Sequence, residues 1–172
     1  MNLNFRLSVL TQIADRWPRI GKTAMMKCVF FLQTIKGIPL DYDFEIYTYG
    51  PYSSLVMSEV DFARQRGYLK VDGVIYPNAY GYEISCTEEG RNLLSNNPQI
   101  NQYKDSIFEI IDCFKNKQAT ELELLSTILF VNRRYKEKDK ESVCKTVQGI
   151  KPKFTLTEIQ NGYDFMSQRR YL

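Results

Sequence analysis

Residues 20–35 constrain this chain most. Placed on a helix, they are apolar over most of the surface from residue 24 to residue 32, with Lys22, Lys27 and Gln33 as polar points. A helix with so little polar face has to be surrounded, so it is central to a small domain. Gly37 follows it in the manner of a C-terminal cap. Ahead of it, Leu3, Leu7, Leu10, Ala14 and Trp17 recur at three- and four-residue steps, the apolar face of a first helix that Pro18 ends.

The pattern then changes period. Residues 44–49 alternate apolar or aromatic with polar side chains and predict a short strand. Gly50-Pro51 predicts a turn. Ser53 or Ser54 caps the next helix, which runs to about Arg66 with Val56, Val60 and Ala63 on its inner face. Residues 68–71 predict a strand, Asp72-Gly73 a turn, and residues 82–86 another strand with Tyr82, Ile84 and Cys86 on one side. Thr87 then caps a helix containing Leu93 and Leu94. A helix-turn-helix-like core followed by a wing has this order.

The fold class expected is therefore mainly α (α+β). A winged-helix-like domain occupies residues 1–97, with a two- to three-stranded wing, and residues 98–172 form a helical segment packed on it. The polar, proline-bearing stretch 96–101 is the expected linker. Beyond it, residues 102–114 predict a helix with Tyr103, Ile107, Ile110, Ile111 and Phe114 on one face. Thr120 and Glu123 have the spacing of a capping box, opening a helix that turns Leu122, Leu125, Ile128 and Leu129 inward and ends at Arg133-Arg134. Residues 141–148 predict a further helix. Thr155 and Glu158 repeat the capping box before Ile159, Tyr163 and Met166.

Composition narrows the function. Histidine is absent, which removes the commonest general base near neutral pH and every histidine-based nucleophile pair or metal site. Cys28, Cys86, Cys113 and Cys144 are too far apart for a zinc ribbon or redox pair and read as small buried hydrophobes. No enzyme, cofactor or metal is expected. Asn2, Asn4 and Arg6 interrupt any N-terminal apolar run, and no window is apolar enough for a membrane span, so a cytoplasmic protein without a membrane partner is expected. The net charge is +3; residues 1–97 carry 10 Lys/Arg against 10 Asp/Glu and residues 98–172 carry 13 against 10, so the excess lies in the second half.

Each candidate surface has a bland reading beside the functional one. The helix after Gly50-Pro51 stands where a recognition helix would, with Ser54, Ser58, Asp61 and Gln65 outward and Glu59 and Arg64 at its flanks. Acids there repel phosphate, so a surface for a protein partner is the better reading. Tyr42, Phe44, Tyr47, Tyr49 and Tyr52 form a dense aromatic set; alternation puts Phe44, Ile46 and Thr48 on a core face and leaves Tyr47 and Tyr49 outward, a composition favoured at protein interfaces over base stacking. Arg133, Arg134 and Lys136 form a basic run, but Glu137, Asp139 and Glu141 interleave with its continuation as on a solvated helix end. Arg19-Ile-Gly-Lys-Thr23 lacks the upstream glycine of a phosphate loop, where Trp17 stands. Asp41/Asp43 and Glu88/Glu89 read as turn and helix-start residues.

Three stretches resemble a known family. They are Lys22-Thr-Ala-Met-Met-Lys-Cys-Val-Phe-Phe-Leu32; Tyr47-Thr-Tyr-Gly-Pro-Tyr-Ser53 with Gly67-Tyr-Leu69; and Glu121-Leu-Glu-Leu-Leu-Ser-Thr-Ile128 with Lys151-Pro-Lys-Phe-Thr155. Together they resemble the YwgA-like family of small prokaryotic and prophage proteins, and the first half is similar to the SocA-type antitoxin (Panacea) domain. The resemblance implies a winged-helix-like fold and a non-enzymatic role, which in the antitoxin relatives is neutralising a toxin or acting as an adaptor.

The function expected is a non-catalytic protein-interaction module, antitoxin- or adaptor-like, whose partner is a toxin or effector protein. Tyr47, Tyr49, Tyr52, Ser54, Ser58 and Asp61 are its expected contact residues. The alternative is a DNA-binding transcriptional regulator using Arg64, Arg133, Arg134 and Lys136. The oligomeric state is left open, a homodimer included.

Overall fold

The computed structural model describes residues 2–76, 79–135 and 139–172. Its elements run α1 (Leu3–Arg16), β1 (Ile20–Gly21), α2 (Lys22–Lys36), β2 (Glu45–Tyr47), β3 (Gly50–Tyr52), α3 (Ser54–Gln65), β4 (Leu69–Tyr76) and β5 (Ala79–Cys86). After these come α4 (Glu88–Ser95), a 3₁₀ turn (Pro98–Tyr103), α5 (Lys104–Phe114), α6 (Ala119–Arg134), α7 (Lys140–Ile150) and α8 (Leu156–Gln168). The protein is mainly α with small antiparallel sheets, the α+β class expected from its sequence. It divides into two compact units, Met1–Phe44 with Ser53–Lys117, and Glu45–Tyr52 with Gln118–Leu172.

The first unit has the winged-helix order α1, β1, α2, α3, β4, β5, and its sheet runs β1–β5–β4. Residues 20–21 were expected in α2. They instead pair with β5, Ile20 opposite Ile84 and both fully buried, because a two-residue strand has no alternation to read. α2 is central as expected: Met25, Val29, Phe31 and Leu32 are fully buried, and so is nearly all of Lys27, one of its expected polar points. Gly37 closes it at φ 62, in the left-handed region.

The wing is longer than the sequence suggests. Asp72 and Gly73 do not turn the chain; they lie inside β4 opposite Glu83 and Tyr82, and the ladder continues to Tyr76 opposite Ala79. The Tyr80 side chain lies against Gly73, in the space a Cβ would take. An aromatic covering a strand glycine replaces the packing that the glycine lacks.

Residues 98–114 also belong to this unit, so the expected boundary after residue 97 is displaced to residue 117. The reason is burial. Ile100, Ile107, Ile110, Ile111 and Phe114 are all but fully buried, and Phe114 stacks on Phe31 of α2 with centroids 4.2 Å apart. The polar stretch 96–101 reads as a linker, yet Ile100 pins its 3₁₀ turn to the core.

A buried polar cluster joins α1 to α3. Glu59, expected at a flank of the outward face, is only 4% exposed. Arg6 Nε donates to both of its carboxylate oxygens, at 2.9 and 3.0 Å, and the Tyr42 hydroxyl donates to Oε2 at 2.6 Å. Burial, and then the Glu59 bond, push the Tyr42 phenol well above its ordinary range, so it stays a donor.

The second unit is built on α6, α7 and α8. Leu124, Ile128, Val131, Val143, Val147, Phe154 and Ile159 form its core. The Thr155–Glu158 capping box is present, with the Glu158 N–H donating to Thr155 Oγ1 at 3.2 Å. The box expected at Thr120 and Glu123 lies two residues earlier, where the Gln118 N–H donates to Glu121 Oε2 at 2.8 Å. Glu123 is thereby released for a different role.

Candidate functional site

The most distinctive surface of the second unit is the hairpin β2–β3. The strand expected over 44–49 stops at Tyr47, the chain reverses at Thr48 and Tyr49, and Gly50-Pro51 lies in the returning strand opposite Tyr47 and Ile46. The expected turn is therefore shifted by two residues. Gly50 adopts φ 85, as a tight hairpin exit needs. It also lies close to α6: a Cβ there would sit 3.0 Å from Thr127 Oγ1, 3.2 Å from Ser126 Oγ and 3.3 Å from the Glu123 carbonyl oxygen. Gly50→Ala is expected to destabilise the protein by about 1–3 kcal/mol, read by urea denaturation. An unchanged midpoint would show that neither the backbone angle nor the contact matters.

Lys151 holds this hairpin from beneath. Its side chain is 7% exposed, and Nζ donates to the carbonyl oxygens of Tyr47, at 2.9 Å, and Thr48. The same nitrogen lies 3.0 Å from Glu123 Oε1, whose side chain is 2% exposed. Lys153 Nζ donates to the other oxygen, Oε2, at 2.7 Å, while the Ser126 and Thr127 hydroxyls donate to the Glu123 carbonyl oxygen. A buried ion pair adds little net stability compared with an apolar substitute, but its geometry admits few alternatives, so it fixes position. Here it fixes the hairpin backbone on α6. Three separate sequence segments, around residues 47–52, 121–128 and 151–155, thus meet in one place.

The tyrosines on this mount face outward as expected. Tyr47 is 68% exposed, Tyr49 63% and Tyr52 39%, and the rings of Tyr47 and Tyr52 lie 5.8 Å apart. Tyr42 and Phe44, counted in the same aromatic set, are buried in the first unit instead. The sequence reading missed Glu123, Lys151 and Lys153 as positioning residues. One signal was available: a glutamate at an inward position of a leucine-rich helix needs a buried cation.

The remaining expected contact residues lie on α3, in the first unit. Ser54 and Ser58 are exposed, joined by the Ser58 hydroxyl donating to the Ser54 carbonyl oxygen at 3.1 Å. Asp61 is half-buried and lies 3.9 Å from Arg64. The same helix exposes Leu55 and Phe62, which the sequence reading did not single out; with Ser58 they make a stripe at helical spacing. The wing β4–β5 exposes Ile75, Tyr80 and Tyr82, and Lys22 Nζ lies over the Tyr82 ring at 4.4 Å.

The residues of the nucleic-acid alternative are dispersed. Arg64 is on α3 in the first unit. Arg133 and Arg134 end α6 in the second, where an Arg133 Nη2 donates to the Tyr171 carbonyl oxygen at 3.1 Å. Lys136 lies outside the described residues. Burial raises the thiols of Cys28, Cys86 and Cys144, which keeps them protonated at neutral pH. Among the described residues, no group of three or more Cys, Asp or Glu side chains is placed to hold a metal ion, and no helix is long and apolar enough to cross a membrane.

Fold and surface together define a winged-helix unit accompanied by a three-helix unit that presents a tyrosine hairpin. The chain is similar to the uncharacterized protein YwgA of Bacillus subtilis (strain 168), with 24% identity over 163 residues, covering 92% of each chain. No protein-family model matches it.

Proposed function

We propose that this protein is a non-catalytic protein-interaction module, antitoxin- or adaptor-like, acting in the cytoplasm of a prokaryote or from a prophage, with a toxin or effector protein as partner. The observation that carries the reading is the hairpin with Tyr47, Tyr49 and Tyr52 exposed and its backbone tied down by Lys151. Tyrosine gives large contact area for few rotatable bonds, and a pre-fixed backbone lowers the ordering cost of association. The antitoxin branch of the reading rests on the resemblance of the first half of the sequence to SocA-type antitoxin domains.

The test is quantitative. Tagged protein is expressed in its native host, a co-purifying stoichiometric partner is produced separately, and its affinity is measured for wild type and for Tyr47→Ala with Tyr49→Ala. The double variant is expected to bind roughly 30-fold or more weakly, about 2 kcal/mol, at unchanged thermal stability. Absence of any stoichiometric partner, or equal affinity, would overturn the reading.

A DNA-binding regulator is the second reading, favoured by the exposed guanidinium groups of Arg64 and Arg66 at the end of α3. Against it, the same helix exposes Leu55, Phe62 and Asp61 where a major-groove helix carries donors.

A further inference from the structure

The first unit contains an open pocket of about 300 Å³, walled by α1, α4, the 3₁₀ turn and α5, to which neither reading above assigns a use. Its volume is at the small end of the range for small-molecule sites. Its chemistry is uneven. Arg91 and Lys104 bring two cations, and Asp15 brings one carboxylate, which already accepts from Arg91 Nε at 3.0 Å. The terminal guanidinium nitrogens of Arg91 and the ammonium of Lys104 have no carboxylate bonded to them among the described residues. Lys104 instead lies 5.6 Å from the centroid of the Phe108 ring, which lines the same pocket beside Ile100.

Gln12 is the second observation. The residue is only 5% exposed, and it lines this pocket. No hydrogen bond to its amide is found among the described residues, and, unlike the neighbouring Thr11 hydroxyl, the amide is not shut off from solvent. A primary amide offers both a donor and an acceptor. It is available to a molecule in the pocket that Gln12 lines.

We propose that this pocket binds a small organic anion. Its phosphate or carboxylate head is held by Arg91 and Lys104, its planar body lies beside Phe108 and Leu94, and a polar atom of that body bonds the Gln12 amide. An anion fits better than a cation because the one carboxylate present is already paired. The site lies wholly in the first unit and does not depend on the tyrosine hairpin.

Calorimetric titration of the full chain with adenosine monophosphate, 4-hydroxybenzoate and inorganic phosphate tests it, the first two separating a phosphate head from a carboxylate head. Saturable one-site binding by at least one of the two organic anions is expected. Arg91→Gln with Lys104→Gln, both at the surface, should weaken it roughly tenfold or more. Gln12→Leu should weaken binding while leaving the unliganded melting temperature equal or higher, which a purely structural glutamine would not do. If Gln12→Leu does not fold, the surface double variant still decides the question. No saturation by either organic anion, equal affinity in the double variant, or binding of inorganic phosphate as tight as that of either organic anion would overturn the proposal.

Discussion

Lys151→Met is expected to destabilise the protein by about 3–5 kcal/mol, because it leaves a buried charge without its buried partner. Glu123 is 2% exposed on its side chain and would keep only Lys153, whose own side chain is 50% exposed. The Tyr47 and Thr48 carbonyl oxygens would lose the same donor. The effect should appear first as lost amide-exchange protection over residues 45–52, since Lys151 donates to two carbonyl oxygens of this hairpin. The double variant Lys151→Met with Glu123→Leu should recover much of the loss, because removing both charges removes the desolvation cost as well. A single variant that costs less than about 1 kcal/mol would place this pair among the weak surface bridges and remove it as the mount of the tyrosines.

Glu59→Ala should destabilise the first unit by a similar amount, about 3–5 kcal/mol, for a related reason. It removes the carboxylate that accepts from both the Arg6 guanidinium, whose side chain is 14% exposed, and the buried Tyr42 hydroxyl. Tyr42→Phe removes one donor and leaves the Arg6–Glu59 pair, so it should cost less, about 1.5–3 kcal/mol. Trp17 is the single tryptophan and lies in this unit, so its fluorescence during urea denaturation reports the difference. Equal midpoints for the two variants would mean that the carboxylate does not organise the cluster.

The parts of the fold legible in the sequence share one property: their cause is local. α2 announces itself because an all-round apolar helix has one place to go. Gly37, Thr87 and Thr155 mark helix ends because the groups they satisfy lie within three to five residues. Tyr47 could be placed outward because alternation along a strand is local too, whereas Tyr49 is outward because it stands in the hairpin turn, where Thr48, expected on the core face, is exposed as well. The misreadings have the complementary property. Asp72-Gly73 carries a turn signal that pairing with β5 and the cover of Tyr80 override. Gly50-Pro51 carries another, overridden by the close approach of α6.

The candidate sites divide in the same way. Exposure of the tyrosines was readable, while the means of holding them was not, since Lys151 meets Tyr47 from 104 residues away. Glu59 and Glu123 read as a solvated flank and a helix cap, the default for a carboxylate. Whether a charge stays in water depends on whether a distant cation is brought to it. Gln12 in α1 was invisible for the same reason: the pocket it lines is completed by residues 79 to 96 positions further along the chain.

The sequence by itself therefore determined the winged-helix order, the helix ends and the outward aromatic face, because periodicity and capping act over a turn or a strand. Only the tertiary structure decided where the hairpin turns, which unit residues 98–117 join, which carboxylates are buried and what the tyrosines stand on. Those outcomes depend on long-range pairing and desolvation, which no local pattern encodes.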